Sequence, residues 1–349
     1  MGGLRILIAD GSSVYKKVFT KAVSEIDGSC VVTHAADGDA AYESIQKHNY
    51  DIIIIDAEIT GKNAGGLLET IIKTLPKALI LMTARPSASG RVHFTQAAQT
   101  NIVDYFVKPV YSSYEENANI VKNKMEELYH IISERQKNES APLAPPPKVN
   151  VGEACGNGFK PEIVLIASST GGPPALEKIF SGLGGDYPAP ILLVQHMPPN
   201  FTENMTRHLN NKTGLRVKVA ESDELIEAGT VYAAPGGRHM KLGKGNRILL
   251  DDSPPVNGLR PSADTLFKSV AQNFSGERAL TVILTGMGRD GEKGLAFLKG
   301  SLDCCCITQS EKTCAVYGMP RAVVESGLSD RILDLDDIAR EMGVFIKVD

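Results

Sequence analysis

The 349-residue chain lacks the features that would direct it to a membrane, to nucleic acid or to a disulfide-built scaffold. No apolar run approaches the roughly 20 residues that span a bilayer, so membrane insertion is not expected. Positive charge is not in excess: 37 Lys and Arg face 41 Asp and Glu, for a formal net charge of -4. No long basic stretch could follow a phosphate backbone or an anionic lipid surface, which removes nucleic acid from the expected partners. The strand-length segment from Leu4 to Ala9 has no basic n-region and no cleavage signal after it, and the expected location is the cytoplasm. Of the six cysteines, Cys304, Cys305 and Cys306 are consecutive, and Cys314 follows at a distance unlike common zinc spacing. Free structural thiols are expected, as is usual in a reducing compartment. No internal repeat recurs at a fixed period.

What is present is an alternation of strands and helices in two blocks, in a chain too long for a single core. In the first block the apolar runs LRILIA, CVVTHAA, DIIII, ALILMTA and DYFVKP read as strands, and VYKKVFTKAVSEI, DAAYESIQKH and GLLETIIKTL as helices. A long amphipathic helix follows from Tyr114 to about Arg135. Residues 138–160 are then rich in Pro, Gly and small polar residues, and Pro145 to Pro147 cannot continue a helix. The second block resumes with EIVLIAS, PPALEKIFSGL, ILLVQ, a helix from about Phe201, the strands VYAAP and RILLDD (the latter suggesting a hairpin), ADTLFKSVAQNF, ALTVILTG, GEKGLAFLKG, CCCITQ and a closing helix from Leu335. Two α/β domains, each with a doubly wound parallel sheet, are therefore expected at residues 1–137 and 161–349, joined by a linker over 138–160.

In the first domain polar groups stand at the strand ends: Asp10 after the first strand, Asp56 closing the third, Thr83 after ALILM and Lys108 after DYFV. Functional groups of open parallel sheets gather outside the carboxyl ends of the strands. A carboxylate pair with a hydroxyl and an ammonium suits aspartyl-phosphate chemistry, with Asp56 as phosphoacceptor, Thr83 on a phosphoryl oxygen, and Lys108 with a divalent metal balancing charge. Taken one at a time, each is also an ordinary polar end to a strand. Magnesium is the expected ion, with Asp10, Asp56 and Glu58 as candidate ligands. The pattern resembles the receiver domain of two-component response regulators over residues 4 to about 135. That resemblance implies a flavodoxin-like fold, a sensor histidine kinase as phosphodonor, and a cis peptide at Lys108-Pro109. Receivers carry two adjacent acids after the first strand; here Asp10 is followed by Gly11, and Ile59-Thr60 stands where Met-Pro is usual.

The second domain holds IASSTGG, a buried strand running into Ser168, Ser169, Thr170 and a glycine pair. Gly171-Gly172 permits a tight turn, and Pro173 is favoured at the first helical position. A serine on that bend is presented near a helix N-terminus whose N–H groups can stabilise an oxyanion, and the geometry resembles a nucleophile elbow. The same residues also compose a phosphate-binding nest. A serine nucleophile needs a base, and His196 falls just beyond ILLVQ; an orienting acid, Asp290, stands in the glycine-rich bend after ALTVILTG. Either alone has a structural reading, His196 as a strand end and Asp290 as a turn residue. Together Ser169, His196 and Asp290 line one sheet edge in the order Ser, His, Asp, which differs from the order in ordinary α/β-hydrolases.

Six segments, GGPPAL, VQHMPPNFT, PGGRHM, RPSADTLF, LTGMGRDG and YGMPRAVVESG, occur in the order found in the catalytic domain of chemotaxis response regulator protein-glutamate methylesterases, and cover residues 161 to about 345. The resemblance implies a Ser169, His196, Asp290 triad, an oxyanion site at Thr170 and Met287, and no cofactor for ester hydrolysis. It further implies glutamyl γ-methyl esters on the cytoplasmic helices of chemoreceptors as substrate, glutamine side-chain deamidation as a second activity, and relief of inhibition when the receiver is phosphorylated. A catalytically idle adaptor binding through the same Ser/Thr/Gly nest, or another serine hydrolase with a pseudo-receiver, is the alternative.

Overall fold

A computed structural model describes residues 3–85, 102–109, 113–138, 155 and 159–344. The chain divides into two compact units, Met1–Pro145 and Pro146–Asp349. Most of the expected linker, residues 139–154 and 156–158, lies outside the described residues.

In the first unit five strands form one parallel sheet: β1 (Arg5–Ala9), β2 (Val31–Ala35), β3 (Ile52–Asp56), β4 (Leu79–Ala84) and β5 (Ile102–Val107), in the order β2-β1-β3-β4-β5. β3 and β4 are buried along their whole length, as the runs IIIID and LILMTA require of strands covered on both faces. The helices are α1 (Ser13–Ile26), α2 (Gly38–Lys47), α3 (Ala64–Thr74) and α4 (Tyr114–Asn138), and α1 packs on α4. Helix α1 begins where Ser12 Oγ accepts from the Tyr15 N–H at 3.4 Å. Strand order reverses at β1 and β3, and this puts Asp10 and Asp56 side by side.

The second unit is built on seven parallel strands in the order β14-β13-β12-β6-β7-β9-β8. Their ranges are β6 (Ile163–Ser168), β7 (Ile191–Gln195), β8 (Arg216–Val219), β9 (Thr230–Ala233), β12 (Arg278–Ile283), β13 (Asp303–Gln309) and β14 (Arg331–Leu333). The helices are α5 (Gly172–Ser181), α6 (Pro199–Lys212), α7 (Ala263–Asn273), α8 (Glu292–Lys299), α9 (Gly318–Glu325) and α10 (Leu335–Val344). The central strands IVLIAS and ILLVQ are buried throughout, and a core including Leu165, Val194, Phe267, Ile283 and Met319 fills one side of the sheet.

The hairpin suggested by RILLDD is found, but its first strand is β10 (His239–Gly243), which pairs antiparallel with β11 (Arg247–Asp251); VYAAP instead supplies β9 of the parallel sheet. Among the described residues the cis peptide lies at Arg260-Pro261 and not at Lys108-Pro109. One further expectation is corrected: Cys155 and Cys305 form a disulfide, while Cys30, Cys304, Cys306 and Cys314 are free. The pairing is not visible in the sequence, because only the fold brings Cys155 against a strand 150 residues later. No helix of the described residues is long and apolar enough to cross a membrane.

Candidate active site

Three neighbouring strands deliver the three candidate residues of the second unit. β6 lies between β12 and β7, at the point where strand order reverses, and Ser169 follows β6, His196 follows β7 and Asp290 follows β12. Parallel neighbours are about 4.8 Å apart, so residues one step beyond paired positions face a common space. Ser168 pairs with Gln195, and the His196 N–H donates to Ser168 O at 3.0 Å. The bend after β6 is closed by the Gly172 N–H on Ser169 O at 2.8 Å, with Gly171 at φ 81°, a conformation that excludes most side chains. Helix α5 starts at Gly172, one residue before the expected Pro173.

His196 and Asp290 are in contact: Nε2 lies 2.8 Å from Asp290 Oδ2, with the imidazole 9% and the carboxylate 1% exposed. An ionised Asp290 requires the Nε2–H tautomer, which leaves the lone pair of the imidazole on Nδ1. Asp290 also accepts from Ser262 Oγ at 2.7 Å and from the N–H groups of Ala263 and Asp264 at 2.6 and 3.1 Å, so it caps the N-terminus of α7. Burial acts to raise its pKa, but the bond and charge of His196, with the Ser262 and Ala263 bonds, hold it below the ordinary value. The capping is reciprocal, because Asp264 Oδ1 accepts from the N–H groups of Gly291 and Gly294 at 3.1 and 2.6 Å, at the start of α8. Burial raises the Asp264 carboxyl above its ordinary value, with the charge of Asp290 adding to the effect.

Ser169 and His196 are brought to the same edge without a hydrogen bond between their side chains among the described residues. Such bonds commonly tighten only when substrate is bound. Thr170 is buried and its carbonyl accepts from Thr285 Oγ1 at 2.8 Å, whereas Met287 is half exposed in the bend that carries Asp290. Gly286 holds that bend against Ser169: a Cβ there would stand 2.8 Å from Ser169 Cβ and 2.4 Å from Met319 Sδ.

Sequence reasoning did not single out Gln195, Ser262 or Asp264. The triplet Ser-Ala-Asp before an apolar helical run carried a capping signal; Gln195 carried none. Gly172 is constrained by Gln195 as well, since a Cβ would lie 1.9 Å from Gln195 Oε1. In a helix alanine is ordinarily better than glycine by about 1 kcal/mol. Here the neighbour is buried and multiply bonded, so Gly172→Ala is expected to destabilise the second unit by about 1–3 kcal/mol in denaturant unfolding.

The first unit gathers its own polar cluster. Lys108, fully buried, places Nζ 2.6 Å from Asp10 Oδ2 and 2.7 Å from Asp56 Oδ2, and lies 5.0 Å from the centre of the Tyr15 ring. Asp10 Oδ1 accepts from the Ser12 N–H at 2.8 Å, and Asp56 Oδ1 from the Glu58 N–H at 3.1 Å. The Thr83 hydroxyl, paired across from Asp56, donates to Ile55 O at 3.3 Å. Glu58 turns its carboxylate to Arg85 at 2.8 Å. The cluster borders a cavity of about 620 Å³ lined in part by Gly11, Ser12, Asp56, Thr60 and Lys108. Burial, with the charges of Asp10 and Asp56 beyond it, raises the Tyr15 phenol above its ordinary pKa, which keeps it neutral.

Comparison with known proteins bears on both units. The family described as CheB methylesterase matches residues 164–342, and the response regulator receiver domain matches residues 6–116. A protein of Desulfotalea psychrophila named protein-glutamate methylesterase/protein-glutamine glutaminase is 35% identical, with 100% of each chain covered. A Caulobacter vibrioides protein of the same name, numbered 2, is 34% identical over 96% of each. Among solved structures, the CheB methylesterase catalytic domain of Thermotoga maritima is 39% identical with a TM-score of 0.50, over 52% of this chain and 97% of that one.

Proposed function

Because the chain belongs to the CheB methylesterase family, in the form that joins a receiver domain to the esterase domain, we propose that it hydrolyses glutamyl γ-methyl esters on chemoreceptors through Ser169, His196 and Asp290. The observation that carries this reading is the 2.8 Å contact of His196 with a buried, multiply bonded Asp290, one strand away from Ser169. Asp290 fixes the tautomer in which Nδ1 is the base. Ser169 Oγ attacks the ester carbonyl while His196 Nδ1 takes its proton; methanol leaves with that proton, and a water activated by the same nitrogen releases the glutamate. The tetrahedral oxyanion is met by the backbone at Thr170 and Met287, where the Met287 N–H has no acceptor among the described residues. A glutamine side-chain amide follows the same course with ammonia as the leaving group. No cofactor enters any of these steps.

The receiver is the regulatory half of the proposal. Asp56 is the phosphoacceptor, a sensor histidine kinase the donor, and Lys108 and Thr83 the groups that respond to the added charge of about -1.5 to -2. The carboxylates fit a magnesium ion, which is content with one or two of them and keeps several waters. Asp10 Oδ2 and Asp56 Oδ2 are brought together on one cation, the buried Lys108 ammonium at 2.6 and 2.7 Å, and a hard divalent cation favours the same pair of oxygens. Asp10 and Asp56 would hold the ion, which would supply charge neutralisation during phosphoryl transfer; Glu58 would join only by leaving Arg85, and Gly11 offers no carboxylate.

Acetyl phosphate with magnesium is expected to add one hydroxylamine-labile phosphoryl group to the full chain and to raise methanol release from a methylated chemoreceptor. Asp56→Asn is expected to abolish both effects while leaving the basal rate. A rise that survives in Asp56→Asn, or a phosphorylated chain with an unchanged rate, would remove the regulatory half of the proposal.

A further inference from the structure

Ser169 and His196 sit on separate strands and are not bonded to each other, so something must set the distance between them. The side chain of Gln195, buried at the end of β7, makes three hydrogen bonds at this junction. Its Oε1 accepts from Ser168 Oγ at 2.7 Å, and its Nε2 donates to Ser169 O at 2.9 Å and to His196 O at 3.0 Å. One amide therefore holds the backbone of the nucleophile candidate and the backbone of the base candidate at once. Both ends of the amide are specified: Ser168 Oγ donates to the oxygen, and this keeps the NH₂ turned toward the two carbonyls. Gly172 leaves the space that the oxygen occupies, as a Cβ there would stand 1.9 Å from it.

We infer that Gln195 is a positioning residue that fixes the separation of Ser169 Oγ from His196 Nδ1, with Ser168 and Gly172 holding the amide in its working orientation. The inference rests on the triad reading above. Ordinary strand pairing already joins β6 to β7 through the His196 N–H and Ser168 O, so the amide is not needed to keep the sheet together. What it adds is a direct tie between the backbones of Ser169 and His196, which main-chain bonds hold to Thr285 and to Ser168 but not to each other. Displacing reacting groups by about 1 Å can cost about 10²-fold in rate with little change in binding.

The test uses full-length protein and methanol release from a methylated chemoreceptor. Gln195→Glu preserves shape and an acceptor but turns an oxygen toward two carbonyls; Ser168→Ala leaves Gln195 intact and only unpins its orientation. For Gln195→Glu, kcat is expected to fall about 10²-fold with KM nearly unchanged, and reaction of Ser169 with a fluorophosphonate to slow in parallel. Ser168→Ala is expected to show a smaller fall of the same kind, and it carries the test if Gln195→Glu does not fold. Wild-type kcat in folded variants, or a loss expressed in KM alone, overturns the inference. Ser169→Ala run alongside separates the two ideas: an inert Ser169→Ala with wild-type Gln195 and Ser168 variants removes the positioning role alone, whereas an active Ser169→Ala removes the triad reading.

Discussion

Ser169→Ala is expected to lower methanol release from a methylated chemoreceptor by about 10⁴-fold or more, since removal of a nucleophile disables every later step of covalent catalysis. The side chain is partly exposed at the bend and has no hydrogen-bond partner among the described residues, so its loss should leave stability close to wild type. The bend itself is held by the main chain, through the Ser169 N–H on Thr285 O and the Gly172 N–H on Ser169 O, at 3.0 and 2.8 Å. Unfolding curves that superimpose, with rates that differ by orders of magnitude, are the expected pair of observations. Comparable rates would assign the hydrolysis to another group.

Asp290→Asn is expected to be nearly as severe, about 10⁴-fold, the size seen when a base is held in the wrong tautomer. All four partners of the Asp290 carboxylate donate to it: His196 and Ala263 to Oδ2, Ser262 and Asp264 to Oδ1. An asparagine must turn its NH₂ toward one of these pairs. Facing His196, it demands the Nε2 lone pair and moves the ring proton to Nδ1, the nitrogen required as base. Facing Asp264, it sets two N–H donors against each other at the start of α7. Asp264→Asn makes the informative contrast, because Oδ1 of Asp264 takes both the Gly291 and Gly294 bonds and an amide oxygen can do the same. That variant should keep its activity and be at least as stable at neutral pH.

The signs of the two pKa shifts give the pH dependence of stability. Asp290 lies below its unfolded value, so its contribution is present above about 3.9, the ordinary carboxylate value, and is lost as pH falls from there through its folded pKa. Asp264 is shifted upward, so ionising it costs stability as pH rises from the ordinary value through its folded one. Asp264→Asn should therefore gain on the wild type as pH rises across that interval, whereas Asp290→Asn should lose on it as pH rises through the lower interval, from the depressed folded pKa of Asp290 up to the ordinary value.

Much of this arrangement was legible because buried parallel strands write themselves as unbroken apolar runs, and a polar residue directly after such a run marks the functional edge of the sheet. EIVLIAS and ILLVQ run directly into Ser169 and His196, Asp290 stands in the glycine-rich bend that follows ALTVILTG, and the strand order places the three strands side by side. What escaped notice depends on side-chain direction or on long-range packing. A glutamine at the end of an apolar strand has no signature, because its role lies in which way the amide points. HMKLG mixes Lys and Gly into a short hairpin strand, and RVKV is a four-residue edge strand with alternating charge, so neither stands out as an apolar run. The Cys155–Cys305 pairing joins a residue of the Pro/Gly-rich segment to the middle of a strand, which no local pattern records. In the receiver, the four polar strand ends were read together. The buried Lys108 joins Asp10 and Asp56, and Thr83 pairs across from Asp56 with its hydroxyl on a backbone carbonyl.

The most direct measurement is site-mapped labelling of the full chain with a fluorophosphonate, in wild type and in His196→Gln. The account predicts a single adduct on the peptide carrying Ser169, formed rapidly in wild type and slowed by orders of magnitude in the folded His196→Gln variant. Equal labelling of Ser169 with and without the imidazole, or modification of a different residue, would contradict it.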